Sequence, residues 1–288
     1  MKEYLLFEKY PKLKILDPLP IVNSPTPIFP LKHTSKALGA SIWIKNDGIT
    51  MNEYGGNKPR KLAFILRDVI KQSKTTVITQ GGLGSNHCLA TVVSAKKANL
   101  NAAIYLDWQR LNPHVRNNML ADHYFSAEMI YSPNREETTK KIQKRLMEDP
   151  NAYFIPTGGS SPLGTVGFVN AAFELAEQIK TLNIPTPDQI YVAFGSGGTC
   201  AGLLIGSILA GIQTQIVGVQ VYIENEDTVL KLAQETLELL REIEPNIPQY
   251  TSKELRLYLK VTAQFFGGEY GITTKEGIEA QKLIQSDG

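Results

Sequence analysis

The 288-residue sequence predicts an α/β protein with parallel sheet and helices on the sheet faces. Three observations lead there: short apolar runs of strand length recur, helix-length stretches separate them, and glycine clusters fall at junctions from strand to helix. Val77-Ile78-Thr79 reads as a strand, 80–87 as a turn, and 89–98 as an apolar-periodic helix ending near Asn99, with a strand at 102–106. A helix around Asn118–Phe125, a strand at Glu128–Tyr131, a charged amphipathic helix at Arg135–Glu148 and a strand at 152–156 follow. A helix then runs roughly from Thr165 to Leu182, where Asn183-Ile184-Pro185 stops it. In such sheets ligands bind at the loops beyond the carboxyl ends of the strands, where the glycine clusters lie.

The segment from Gln189 to Ile223 carries no charge and exceeds the roughly 20 residues that span a bilayer. It also spaces Gly198, Gly202 and Gly206 four apart, as membrane helix pairs do. Its interior argues for a strand at 190–194, a Gly195–Thr199 breaker, a buried helix over 200–212 and a β-branched strand at 216–223, so no membrane span is expected. The balance of 30 basic against 28 acidic residues, net +2, excludes a basic field that would drive nucleic-acid binding. A small-molecule partner is expected instead. Two cysteines, Cys88 and Cys200, and charges scattered through the first residues predict no disulfide framework, no secretory leader and a cytoplasmic location. The length suits one large core or two smaller ones.

Four segments carry the chemistry. In Gly55-Gly56-Asn57-Lys58-Pro59-Arg60-Lys61 the paired glycines permit close approach of a ligand, and Pro59 suits a helix start. The helix dipole and the neighbouring Arg60 and Lys61 should lower the pKa of Lys58 towards a free, nucleophilic amine; a solvated basic helix start is the bland reading. In Gly81-Gly82-Leu83-Gly84-Ser85-Asn86-His87, glycines after a strand expose the first amides of a helix to an anion, or Ser85 or Asn86 is simply an N-cap. His87 alone is more often hydrogen-bonded structure than catalyst. The turn Gly158-Gly159-Ser160-Ser161 either cradles a carboxylate or merely turns the chain. Gly195-Ser196-Gly197-Gly198-Thr199 offers successive amides and two hydroxyls to a phosphate dianion. As a dinucleotide fingerprint it is imperfect, with Cys200 where glycine or alanine belongs, although Glu224 stands where a ribose-binding acid would. A lysine amine together with a phosphate nest is what a pyridoxal phosphate enzyme needs.

The ordered set GGNKPRKL, GGLGSNH, IPTGGSSPLGTVGFVNAAFEL and FGSGGTCAG, running from about Pro25 onwards, resembles the fold-type II pyridoxal-phosphate enzymes of the D-cysteine desulfhydrase and 1-aminocyclopropane-1-carboxylate deaminase group. The resemblance implies a tryptophan synthase β-like fold of two open twisted parallel-sheet domains. The smaller domain, 61–159, is inserted in a larger one made of 1–60 and 160–288, and relatives are homodimers. It implies that Lys58 holds pyridoxal 5'-phosphate and takes the proton, that Asn86 contacts the ring hydroxyl, and that Gly195, Ser196, Gly197, Gly198 and Thr199 hold the phosphate. Ser85 and His87 would face the substrate, with Asn86 between them and Gly159 and Ser160 on the third turn. Tyr270 matches a tyrosine at the substrate. The expected activity is deamination of a small amino acid, best matched by D-cysteine, with 1-aminocyclopropane-1-carboxylate as alternative substrate. An inactive cofactor-binding homologue and a nicotinamide-nucleotide-binding protein are the remaining alternatives.

Departures from the pattern are equally specific. Gly84 stands where relatives commonly have Gln, and Leu89 where they often have Arg, a residue suited to carboxylates. Cys200 replaces a common His. The sequence stops at Ser286-Asp287-Gly288, about where relatives enter a final strand and an Asp-Pro-Val-Tyr-x-Gly-Lys segment that supplies a tyrosine and the partner of the pyridine nitrogen.

Overall fold

The structure, a computed structural model, describes residues 4–287. Helix α1 (Leu5–Lys9), strand β1 (Ile28–Pro30), helix α2 (Lys32–Leu38) and strand β2 (Trp43–Lys45) come first, β1 and β2 pairing antiparallel. Helix α3 (Lys58–Lys71) leads into β3 (Thr76–Gly82), α4 (Asn86–Lys97), β4 (Asn101–Asp107), α5 (Pro113–Tyr124), β5 (Glu128–Ser132), α6 (Arg135–Glu148) and β6 (Ala152–Phe154). These four strands form a parallel sheet in the order β5-β4-β3-β6. Helix α7 (Pro162–Thr181) then opens a second parallel sheet, β7-β8-β9, built from β7 (Gln189–Phe194), β8 (Gln215–Gln220) and β9 (Leu259–Thr262). Its helices are α8 (Gly198–Ala210), α9 (Glu226–Ile243) and α10 (Ser252–Arg256), and α11 (Lys275–Gln285) follows. The parallel-sheet α/β architecture is the one the alternation predicts.

Boundaries follow local chemistry. α6 spans the predicted residues, its start fixed by Asn134, whose side chain accepts from Glu137 N at 3.0 Å. α5 begins five residues earlier than expected because Asn112 caps it, accepting from Val115 N at 2.9 Å, and Pro113 is already set for the first turn. The uncharged segment is strand, loop, helix and strand. Among the described residues no helix is long and apolar enough to cross a membrane. The glycines four apart serve close packing instead. A Cβ on Gly202 would lie 2.7 Å from Thr165 O of α7, and one on Gly206 would lie 2.6 Å from Val169 O. α8 therefore beds directly on the α7 backbone, in a core shared by α1, α3, α7, α8 and α9.

The start of α3 is fixed by a buried ion network. Arg60 reaches Asp47 Oδ1 at 2.8 Å and Glu174 Oε2 of α7 at 3.0 Å, and donates to Thr26 Oγ1 at 3.0 Å. Lys45 also bonds Glu174 Oε1, and Thr26 N donates to the same oxygen at 2.8 Å. Where α3 crosses α7, a Cβ on Gly167 would stand 2.1 Å from Arg60 O, so only glycine permits the approach. Burial pushes the Glu174 carboxyl up, but Arg60 and Lys45 outweigh it and hold it below its ordinary value.

Replacing Glu174 by Gln leaves Arg60 without its α7 counter-charge, and urea unfolding should show a loss of about 3–5 kcal/mol at pH 7. Because the folded carboxyl titrates below its unfolded value of about 4.3, the wild-type advantage should persist above that pH and shrink as the pH falls below about 4. A gap that stays constant down to pH 3 would refute the assignment.

Candidate active site

The carboxyl ends of β3 and β4, the first turn of α3 and the loop after β7 converge on one cleft of about 860 Å³. Its wall includes Lys58, Ser85, His87, Gly195, Ser196 and Tyr270, six of the residues singled out in the sequence. Lys58 opens α3, followed by Pro59 in the first turn. Its Nζ donates to Asn57 Oδ1 at 2.7 Å, and Asn57 Nδ2 donates to Thr199 Oγ1 at 2.9 Å, so one amide links the amine to the start of α8. The Lys58 pKa is lowered to about 8, as expected, but burial is the cause rather than its basic neighbours. Arg60 points away, into the ion network.

Lys61 lies one turn on from Lys58, on the same helix face. Its Nζ donates to Gly158 O and to Ser160 Oγ, both at 3.1 Å, and burial, then the Lys58 charge, pushes its pKa well below the ordinary value. In the sequence, Lys61 is marked only by its i, i+3 spacing from Lys58. Ser160, expected at the substrate, braces the α8 start: its hydroxyl accepts from Gly198 N at 3.1 Å and pairs with Ser196 Oγ at 2.8 Å. Gly158 and Gly159, both at positive φ (72° and 60°), fold this turn beneath the loop, which leaves Gly159 buried against Lys61. A Cβ on Gly198 would meet Ser160 Oγ at 2.6 Å and Lys61 Nζ at 2.7 Å. Gly197, at φ 85°, and Gly198, whose amide is shared with Ser160 Oγ, thus bring backbone donors beside the Lys61 amine, a set matched to a phosphate group.

Ser85 is the N-cap of α4, accepting from Cys88 N at 3.2 Å, and also lines the cleft. Asn86 Oδ1 accepts from Tyr54 Oη at 2.8 Å and from Asn118 Nδ2 at 3.0 Å. That double acceptance directs its own Nδ2 elsewhere as a donor. His87 is buried, with Nε2 2.8 Å from Thr79 Oγ1; burial, then Lys58 and Lys61, hold its imidazole neutral. Tyr270 lies in the wall on the loop before α11, its phenol pushed up by partial burial.

The departures have structural reasons. A Cβ on Gly84 would lie 2.7 Å from Val115 Cγ2 and 2.8 Å from its Cα, so α5 leaves no room for the glutamine of relatives. Leu89 packs with Met51 and Val93 in an apolar cluster, where a guanidinium would be desolvated. Cys200 is fully buried 3.3 Å from the Cβ position of Gly218 on β8, its thiol pushed up to about 12 by burial, and it serves as a small apolar filler. Glu224 does line the cleft, its Oε2 accepting from Thr228 Oγ1 at 2.9 Å. Asp107, Arg135 and Thr157 add a polar wall that no local motif announces.

The pyridoxal-phosphate dependent enzyme model matches residues 21–288. The chain belongs to this family. It is 36% identical over 219 residues to the bifunctional D-cysteine desulfhydrase/1-aminocyclopropane-1-carboxylate deaminase of Arabidopsis thaliana, covering 70% of this chain and 55% of that protein. It is 32% identical to D-cysteine desulfhydrase of Serratia proteamaculans, covering 96% and 84%. The crystal structure of an ACC deaminase homologue superposes with a TM-score of 0.79 at 30% identity, covering 96% of this chain and 84% of that one. The chain is thus a pyridoxal-phosphate dependent lyase or deaminase with the fold-type II architecture.

Trace acetylation of the cofactor-free protein, read peptide by peptide against pH, should give Lys58 a midpoint of about 8, whereas exposed lysines titrate near about 10.4. A Lys58 midpoint above 10 would contradict the burial argument.

Proposed function

We propose that the chain eliminates ammonia from a small amino acid, with D-cysteine as substrate: D-cysteine and water give pyruvate, ammonia and hydrogen sulfide. The observation that carries this reading is the half-buried Lys58 amine, bonded only to Asn57 among the described residues, sharing one cleft with Ser85, His87 and the Gly195-Ser196 loop. Bound pyridoxal phosphate supplies an electron sink for the pair left when an α-proton leaves. Lys58 would hold the cofactor and move that proton, its lowered pKa of about 8 raising the share of free amine near neutral pH. The amides of Gly195 to Thr199, the Ser196 hydroxyl and the Lys61 ammonium hold the phosphate, and Asn86 Nδ2 donates to the ring hydroxyl. The first turn of α4, with Ser85 and neutral His87, receives the substrate carboxylate, and Tyr270 closes the mouth with a protonated phenol.

The Gly-Ser-Gly-Gly-Thr loop resembles the desulfhydrase branch and supports D-cysteine. The bifunctional name of the Arabidopsis relative supports 1-aminocyclopropane-1-carboxylate as a second substrate, which would yield 2-oxobutanoate and ammonia.

The wild-type holoenzyme should release pyruvate and sulfide from D-cysteine in equal amounts, and Lys58→Ala should lower the rate by about 10²–10⁴-fold or more. Wild-type protein that carries the cofactor yet matches an enzyme-free blank with both amino acids would overturn the proposal. Gly198→Ala, which places a methyl against Ser160 Oγ and Lys61 Nζ, should raise the cofactor Kd by about 10-fold or more, followed by visible absorbance. Unchanged affinity would remove the α8 start from the phosphate site.

A further inference from the structure

The polar wall of the cleft contains an incompletely satisfied guanidinium. Arg135 is the first residue of α6, directed back over the ends of two parallel strands. Its Nη2 donates to Thr157 Oγ1 at 3.1 Å, while Nη1 stands 3.6 Å from Asp107 Oδ2, too far for a hydrogen bond. Arg135 Nη1 and Asp107 Oδ1 are both buried without a hydrogen-bond partner among the described residues. The side chain as a whole is 41% exposed, so Nη1 is the covered corner of a guanidinium that faces the cleft, and its planar fork suits a carboxylate or another oxyanion. Arg110, on the loop after β4, adds a second guanidinium to the lining, and Glu224 is already engaged by Thr228.

Register places this group relative to the α4 start. Asp107 pairs with Gly82 on the adjacent strand, and the Cβ position of the preceding Gly81 lies 2.5 Å from Ser85 Oγ. The two strand backbones beneath these groups are thus one strand spacing apart, about 4.8 Å, and Ser85 and Arg135 line the same cleft, across which a β- or γ-substituent of an amino acid can extend. We propose that Arg135 determines specificity by receiving a second, anionic group of the substrate, with the loosely held Asp107 as the carboxylate that this group displaces. The inference rests on the proposed function, in that it takes the substrate α-carboxylate to lie at the first turn of α4. It widens the substrate class to amino acids with an oxyanion on the β-position.

Two β-elimination substrates test it. D-serine O-sulfate and β-chloro-D-alanine each lose an α-proton and a β-substituent that leaves with its bonding pair, as sulfate or chloride. Hydrolysis of the aminoacrylate then gives pyruvate and ammonia from both. The readout is the ratio of kcat/KM for the sulfate ester to that for the chloro compound, in holoenzymes first scored for borohydride-sensitive visible absorbance at Lys58. Arg135→Gln should lower the ratio by about 10-fold or more, Arg135→Lys should lower it less, and Asp107→Asn should raise it. The opposite signs separate recognition from general damage, which would move both variants the same way. A wild type without the absorbance sinks the proposed function and this inference with it. A wild type that has the absorbance and turns over the chloro compound, but whose ratio matches both variants, overturns this inference alone. Loss of bound cofactor in Arg135→Gln also overturns it, by assigning the guanidinium to the cofactor.

Discussion

A buried guanidinium with two carboxylates is the constraint on which the cleft depends. Arg60 follows Lys58 by two residues, so the charges that fix Arg60 also fix the direction in which α3 presents its first turn. Asp47 and Glu174 come from distant parts of the sequence, and Thr26 and Lys45 close the set. Removing a charged group from water is expensive, and only a nearly complete set of partners makes the arrangement tolerable. The same argument explains Gly167: the network draws α3 onto α7 until two backbones touch.

The two lysines on the inner face of α3 show what that rigidity permits. Both amines lie in a low-dielectric setting that disfavours charge, yet their partners differ. Lys58 bonds one amide oxygen, whereas Lys61 is held by a carbonyl and a hydroxyl that belong to the start of α8. One amine is thereby left with a single acceptor among the described residues, and the other is kept where an anion would restore its charge. Asn57 joins the two halves through Thr199, so the amine and the anion cradle share a mechanical link.

Much of this was legible in the sequence because the relevant signals are local. Alternating strands and helices gave the sheet class, since apolar runs and glycine breakers act over a few residues. Lys58, Ser85 and Ser196 stood out because glycines beside a lysine or at a helix start have few structural uses. Long-range partners were not legible: nothing near Glu174 announces that Arg60 will meet it, and Asp107 and Arg135 come together only through strand order. The partners of Ser160 were hidden for the same reason, as its turn meets the start of α8 only in the folded chain. The cause of the Lys58 shift was likewise hidden, because burial is a property of the whole fold and charge spacing is not.

The mouth of the cleft is built differently from its floor. Residues 263–274, which carry Tyr270, include none that is buried, and α11 beyond them has no buried residue either. The segment is strung between β9 and a tie in which Asp287 accepts from His33 N at 2.7 Å and from Thr34 N at 2.9 Å at the start of α2. Because this rim shares almost nothing with the core, mutations in it escape the stability cost that constrains the floor. Selection can therefore exchange the rim almost as a separate module, retuning which molecules enter while the lysine, the cradle and the ion network stay unchanged.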